Sequence, residues 1–518
     1  MKITKSIDFN RLLILSNYGI LLINTIFYFK FGGNRYVNLV SIGICFLLFF
    51  EVNIILNYEK KKRNPFIIIT VFIVVFFYLT RIATLLWEPY SQAMVRYNVD
   101  VSSVNTLLLC LFLSIGAIFF GSYLGYYTKR KSFKKITDYK NERHINKRKD
   151  IRPPISSAVI LFLFVAANIK FFLTNIFFHF NNNIKGELSF IINNIDSIFS
   201  FWPILIFVFI YLILYKKFLP KRVLFNFVFF ILSFIFLKFI FGSRSSGYTI
   251  IILYIICSLA IYNRILLDWK LIVLSVLLII FTSITFNYVS FLRRQKHEYD
   301  HNFSSLSYII NYATDTDLIF DNYWKHNAIK LFDRVGFIDK PASFIGRSED
   351  CRKIVNFKYY LKSLADKLSP GIDFFDTRFA CVAIRTVYLE IPVSSIKTYT
   401  SDQFSIFAEY YLLFGKYLAI IFIFAGAFIF GWLYKFIDYG HPYFSNVKKA
   451  FVLFIFYQFW LNSFGTDYAV QQIIMLIISY FATVTVISIF KMFSLASNPH
   501  IFIDNVFSGE SYSHRNAS

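Results

Sequence analysis

The chain has 518 residues, 57% of them hydrophobic, with a mean hydropathy of +0.56 and a formal charge of +24 at pH 7. A soluble multidomain protein of that composition would expose an enormous apolar surface, so the chain reads as an all-α polytopic membrane protein. A β-barrel is excluded because barrel strands alternate and are about half as long as the apolar runs here. Nucleic acid is not an expected partner, because the basic residues sit mainly in short loops between apolar runs.

Those runs approach twenty residues, about the length a helix needs to cross roughly 30 Å of hydrocarbon. Segment one covers about 11–29 and segment two 37–57, joined by the short KFGGNRY. The first segment lacks a small-residue cleavage site and a second follows at once, so no cleavable signal peptide is expected. The basic loop NYEKKKRN precedes segment three (65–87), and segment four covers 104–127. Then comes the most basic stretch, TKRKSFKKITDYKNERHINKRKDIRPP, with eleven Lys or Arg against three acids. Segments five to nine follow at about 155–179, 197–215, 223–241, 248–262 and 271–291. A mostly hydrophilic loop opens at Arg293 and closes at Asp402, and segments ten to twelve (405–435, 450–464, 469–490) complete the chain.

Alternation from the most basic loop places 58–64, 128–153, 216–222, 263–270 and 436–449 on one side, and their positive charge makes that side cytoplasmic. The organisation expected is a membrane domain over 1–291, an extracytoplasmic loop domain over 292–404, a second membrane part over 405–490 and a cytoplasmic tail over 491–518. Both termini are then cytoplasmic. Within the large loop, EDCRKIVNFKYYLKSLADKL is strongly amphipathic; its aromatic and Leu face lies either on the bilayer surface or against the transmembrane bundle. Cys351 and Cys381 lie in the same loop and are candidates to pair if it is outside the cell.

Several charged residues are candidates for chemistry. Arg244 sits in FGSRSSGY, where Gly242 and Gly247 allow a tight turn and Ser243 supplies a hydroxyl beside the guanidinium. It is either a snorkelling cap on a helix hairpin or a planar fork that recognises an anion. Arg293 and Arg294 leave segment nine, and positive charge on the outer side runs against orientation bias; a solvated helix end and a phosphate contact at headgroup level are the two readings. Arg334, Arg347, Arg378 and Arg385 continue the series, with Asp333, Glu349 and Asp376 near enough in sequence to pair with them. Arg81, Lys170 and Lys238 fall in the outer halves of their segments and Glu51 near an inner end, where snorkelling accounts for each or the cations add field to a common anionic site. Asp402, Glu409 and Lys416 are seven apart and so share a helix face, with Tyr410 and Tyr411 beside them. Glu409 is either a structural ion-pair partner or an orienter or base for an acceptor hydroxyl. His297 and His301 are four apart but lack a third ligand at a recognisable spacing, so no metal is assigned. No Walker loop, dinucleotide fingerprint, Ser elbow or HExxH is present, which points a synthesis outside the cytoplasm toward a pre-activated, lipid-linked donor.

Gly242-Ser243-Arg244 at the outer end of a mid-chain helix, the single large outer loop late in the chain, about twelve spans, and Glu409-Tyr410 followed by Phe414-Gly415 together resemble the Wzy family of O-antigen and capsule repeat-unit polymerases. The resemblance covers the whole chain in architecture. It implies a GT-C-type membrane glycosyltransferase that joins glycan units carried on undecaprenyl diphosphate, with no cofactor and no metal. Its setting would be the bacterial cytoplasmic membrane, with a flippase and a chain-length regulator as partners. In that scheme Arg244, Arg294 and Glu409 are catalytic, and Arg293, Ser243, Arg334, Arg378 and Tyr410 bind substrate. An O-antigen ligase, or a lipid-linked oligosaccharide flippase, is the alternative reading.

Overall fold

The structure is a computed structural model describing residues 7–62, 64–87, 89, 95, 99–128, 155–166, 201–216, 218–240, 246–263, 265–267, 338–368, 375, 405–438, 441–461 and 466–496. In chain order the helices are α1 (Phe9–Phe31), α2 (Leu39–Lys62), α3 (Pro65–Ile73), α4 (Thr80–Trp87), α5 (Val101–Tyr127), α6 (Ser157–Ala166), α7 (Phe201–Tyr215), α8 (Lys221–Ile240) and α9 (Ser246–Tyr262). They continue as α10 (Asp339–Gly346), α11 (Ser348–Ile354), α12 (Phe357–Leu368), α13 (Ser405–Phe436), α14 (Pro442–Ile455) and α15 (Thr466–Ala496). Among the described residues five helical stretches are long and apolar enough to cross a membrane: Phe9–Phe31, Leu39–Glu59, Pro65–Trp87, Val101–Tyr127 and Ser405–Phe436. Among the described residues the one strand pairing is antiparallel, with Ile7 opposite Leu267 and Asp8 opposite Leu266.

The chain divides into two units, one from residues 1–136 and 235–473, the other from 137–234 and 474–518. In the second, the Tyr211 hydroxyl of α7 donates to the Ile155 carbonyl at 3.3 Å. Phe207 stacks on Tyr480 of α15 at 5.8 Å, and Phe162 of α6 meets Phe490 edge-on at 5.4 Å.

The first unit is built around α3, which is buried on every side from Pro65 to Val71. Its start is specified locally. Asn64 accepts from the Phe66 amide at 3.1 Å, and Pro65 takes the first helical position, where a missing N–H costs nothing. A π-helical turn, Val74–Leu79, joins α3 to α4 and advances the register of α4 by about 100°. The buried Asn24 of α1 donates to the Leu79 carbonyl at the end of that turn, at 3.2 Å.

Helices α5 and α13 pack backbone against backbone. A Cβ on Gly125 would meet the Phe428 carbonyl and the Trp432 amide, and one on Gly431 would lie 2.5 Å from the Ser122 carbonyl. Gly121 faces Phe424 and Ala427 in the same way. Small residues four apart on both helices therefore bring two backbones into contact, which is how helices associate where lipid removes the hydrophobic drive.

Polar residues gather at the two ends of this unit. At one end Asn34 donates to the Leu85 carbonyl at 2.9 Å, Asp100 caps α5 by accepting from the Ser103 amide at 2.9 Å, and Gly346 of α10 lies against Ser103. At the other end Asn64 donates to Ser122 at 3.0 Å, Tyr434 donates to Asn263 at 3.2 Å, and Lys449 pairs with Asp438 at 2.6 Å. Described parts of the basic loops 58–64, 263–270 and 436–449 thus share one end, and the described part of the large hydrophilic loop packs on the opposite one.

Candidate functional site

The site is created by a break in α13. Gly415 has φ 73° and ψ −177°, a conformation essentially confined to glycine, so residues 405–414 and 416–436 are two helical segments. Phe414 and Phe422 would be about 12 Å apart along a continuous helix, yet their rings stack at 4.1 Å and 22°, so the chain folds back sharply. The expectation that Glu409 and Lys416 share a helix face fails for this reason: Glu409 is buried at 2% exposure while Lys416, beyond the break, is exposed.

The break orphans the last carbonyls of the first segment, and the loop supplies their partner. Arg352 of α11 donates through Nε to the Leu412 carbonyl at 2.6 Å and through Nη2 to that of Tyr411 at 3.1 Å. One planar guanidinium thereby caps a helix C-terminus, where a cation also complements the dipole.

On the first segment, Glu409 Oε1 accepts from the Thr466 amide at 2.8 Å, at the N-terminus of α15. The Tyr360 hydroxyl of α12 accepts from the same amide at 2.7 Å, and Ser363 donates to Asp467 Oδ2 at 2.6 Å. Among the described residues Glu409 Oε2 is buried without a hydrogen-bond partner. The result is a buried polar cluster of Glu409, Asp467, Ser363, Tyr360 and Thr466 where the loop helix α12 closes over the heads of α13 and α15. Tyr410, next in sequence, packs against Phe414 at 5.6 Å and Phe422 at 6.4 Å.

A second strut holds the loop down. Arg81 Nε and Nη2 donate to Asp339 Oδ1 and Oδ2 at 3.0 and 2.7 Å, with the two side chains 2% and 1% exposed. Its Nη1 donates to Thr84 at 3.1 Å. Arg81 neither snorkels nor adds free positive field; it is the membrane-side half of an ion pair with the loop helix α10.

Of the residues singled out in the sequence, Glu409 and Tyr410 belong to this site. Arg244, Ser243, Arg293, Arg294, Arg334 and Arg378 lie outside the described residues, as do Asp402, His297, His301, Lys170, Arg385 and Cys381, and the segment 271–291. Arg347 pairs with Asp350 at 3.3 Å, rather than with Glu349, and Cys351 is fully buried. Glu51 sits midway along α2, not near its inner end. Sequence reasoning missed Arg352, Tyr360, Ser363 and Asp467; the Thr466-Asp467 pair ahead of an apolar run was a readable helix start. Among the described residues no group of three or more His, Cys, Asp or Glu side chains is placed to hold a metal. Compared with protein-family models, with curated proteins and with solved structures, the chain finds no match.

Proposed function

We propose that the protein is a GT-C-type membrane glycosyltransferase of about twelve spans that polymerises undecaprenyl-diphosphate-linked repeat units at the outer face of the cytoplasmic membrane. The observation that carries this reading is Glu409 Oε2, a buried acceptor with no partner among the described residues at the loop-covered end of the bundle. Leaving such an atom unsatisfied costs on the order of 1–3 kcal/mol, and a sugar hydroxyl donating to it would offset that cost while being oriented for attack.

In the proposed reaction the bond from the anomeric carbon to the diphosphate oxygen breaks. A glycosidic bond forms from that carbon to the acceptor oxygen, and the acceptor proton passes to Glu409 and on to water. The departing diphosphate calls for preorganised guanidinium groups, the role assigned to Arg244 and Arg294, with Arg293, Ser243, Arg334, Arg378 and Tyr410 binding glycan or phosphate. The basic loops support cytoplasmic termini and an outward-facing 292–404 domain.

The test is surface-glycan length in a deletion strain complemented with Glu409→Gln or Arg244→Ala. The glutamine keeps an oxygen for the Thr466 amide and replaces Oε2, the proposed acceptor and proton site, with an NH2 that can only donate, so the contact to α15 is kept while the proposed chemistry is removed. Single repeat units with no long chains are expected. Full-length polymer retained on its lipid carrier would overturn the proposal in favour of a ligase, and repeat units trapped at the inner face in favour of a flippase.

A further inference from the structure

Helix α12 packs the wrong way round for a helix in water. Its buried residues are Tyr360, Ser363 and Asp366, whereas Phe357, Leu361 and Leu368 are each about half exposed. Phe357, Leu361, Leu364 and Leu368 recur at i, i+4, i+7 and i+11, which puts them in one stripe, and the buried polar residues lie on another side of the helix. The inward face is held by specific bonds: Ser363 to Asp467, Tyr360 with the Thr466 amide, and Asp366 Oδ1 accepting from the Phe375 amide at 2.9 Å. The apolar stripe therefore cannot turn inward without breaking the cluster around Glu409.

Two further observations identify what covers the stripe. It is continuous with the lipid-facing side of α13: Phe357 lies 5.9 Å from Phe414, Phe414 stacks on Phe422, and Phe422, Leu418 and Ile421 are exposed on a helix long and apolar enough to span a membrane. It is also flanked by exposed cations one turn apart, Lys358 and Lys362, the second lying 5.3 Å over the ring of the exposed Phe375. An apolar stripe edged by lysines, starting where a transmembrane helix meets its boundary, has the composition and placement of a helix lying in the plane of the interface.

We propose that α12 is an interfacial anchor, its Phe357–Leu368 stripe immersed in the leaflet at this end of the bundle and Lys358 and Lys362 bound to anionic phospholipid headgroups. The loop over the buried cluster is then held by the bilayer itself as well as by the Arg81–Asp339 strut.

The test uses full-length protein in nanodiscs of phosphatidylcholine, with and without phosphatidylglycerol, carrying a nitroxide at Leu361→Cys and, separately, at Lys358→Cys. The signal of the labelled parent, which reports the native cysteines, is subtracted. At position 361 collisions with oxygen are expected to exceed those with a water-soluble nickel chelate several-fold, and at position 358 the two should be comparable. Phosphatidylglycerol should deepen the label at position 361, and Lys358→Gln with Lys362→Gln should abolish that deepening. Free access of nickel at position 361 would overturn the proposal, and so would shielding from both reagents, which marks a protein contact such as a second copy. Depth unaffected by headgroup charge would overturn the assignment of the two lysines.

Discussion

Replacing Asp339 with Asn tests the strut between the loop and the membrane helices. The substitution preserves volume but leaves the Arg81 guanidinium buried at 2% exposure, with two bonds to a carboxylate at 3.0 and 2.7 Å reduced to one bond to a neutral amide oxygen. Breaking a buried pair from one side costs up to about 3–5 kcal/mol, because the remaining charge loses its counter-charge. A marginally stable fold has roughly 5–15 kcal/mol in total. Asp350→Asn, which removes the exposed Arg347–Asp350 pair, should change stability by less than about 1 kcal/mol. Arg81→Met combined with Asp339→Leu should recover most of the single-variant loss, since an apolar pair of similar size avoids desolvating either charge. The assay is reversible unfolding in mixed micelles as a double-mutant cycle, with proteolysis of 338–354 reporting release of the loop. Single variants within about 1 kcal/mol of wild type, or strictly additive losses, would refute the strut.

Three further outcomes are expected. Gly415→Ala forces a Cβ into a glycine-only conformation and should cost about 1–3 kcal/mol, read as a lowered melting temperature. Arg352→Ala leaves the Tyr411 and Leu412 carbonyls without their charged donor and should cost about 1.5–3 kcal/mol, with Arg352→Lys restoring only part because an ammonium lacks the planar fork that spans both. Asp100 is held below the usual carboxylate range by the Ser103 hydroxyl and amide. Its folded value is therefore the lower one, so its contribution, about 1 kcal/mol for an N-cap, is present above about pH 4 and lost as pH falls through the native value. Asp100→Ala should accordingly destabilise at neutral pH and converge with wild type in acid, as unfolding across that range will show.

The long apolar helices among the described residues were legible because their signal is local. The run 65–87 became one helical stretch with the same bounds, and 104–127 lengthened only by the turn that Asp100 caps. Segment ten, at 405–435, is longer than the roughly twenty residues a crossing needs, and the Gly415 break accounts for the excess. The break itself was hidden, since a lone glycine in an apolar run is as often tolerated as conformational. Arg81 was picked out as an intramembrane cation that snorkels or adds field to an anionic site, but its partner lies 258 residues away, and nothing in the spacing of either residue encodes that meeting. The inversion of α12 was hidden for a related reason: periodicity finds two faces and cannot say which one meets protein when lipid is an available solvent.

The backbone contact between α5 and α13 has a mechanical consequence. Two helices touching carbonyl to glycine along two turns can neither slide nor roll past one another without colliding, so they form a fixed post within their unit. The glycine at 415 lies beyond the upper end of that post, between it and the ten residues that carry Glu409. Any movement at the loop-covered end can therefore be taken up by that short segment and the loop helices resting on it, leaving the membrane-embedded seam undisturbed.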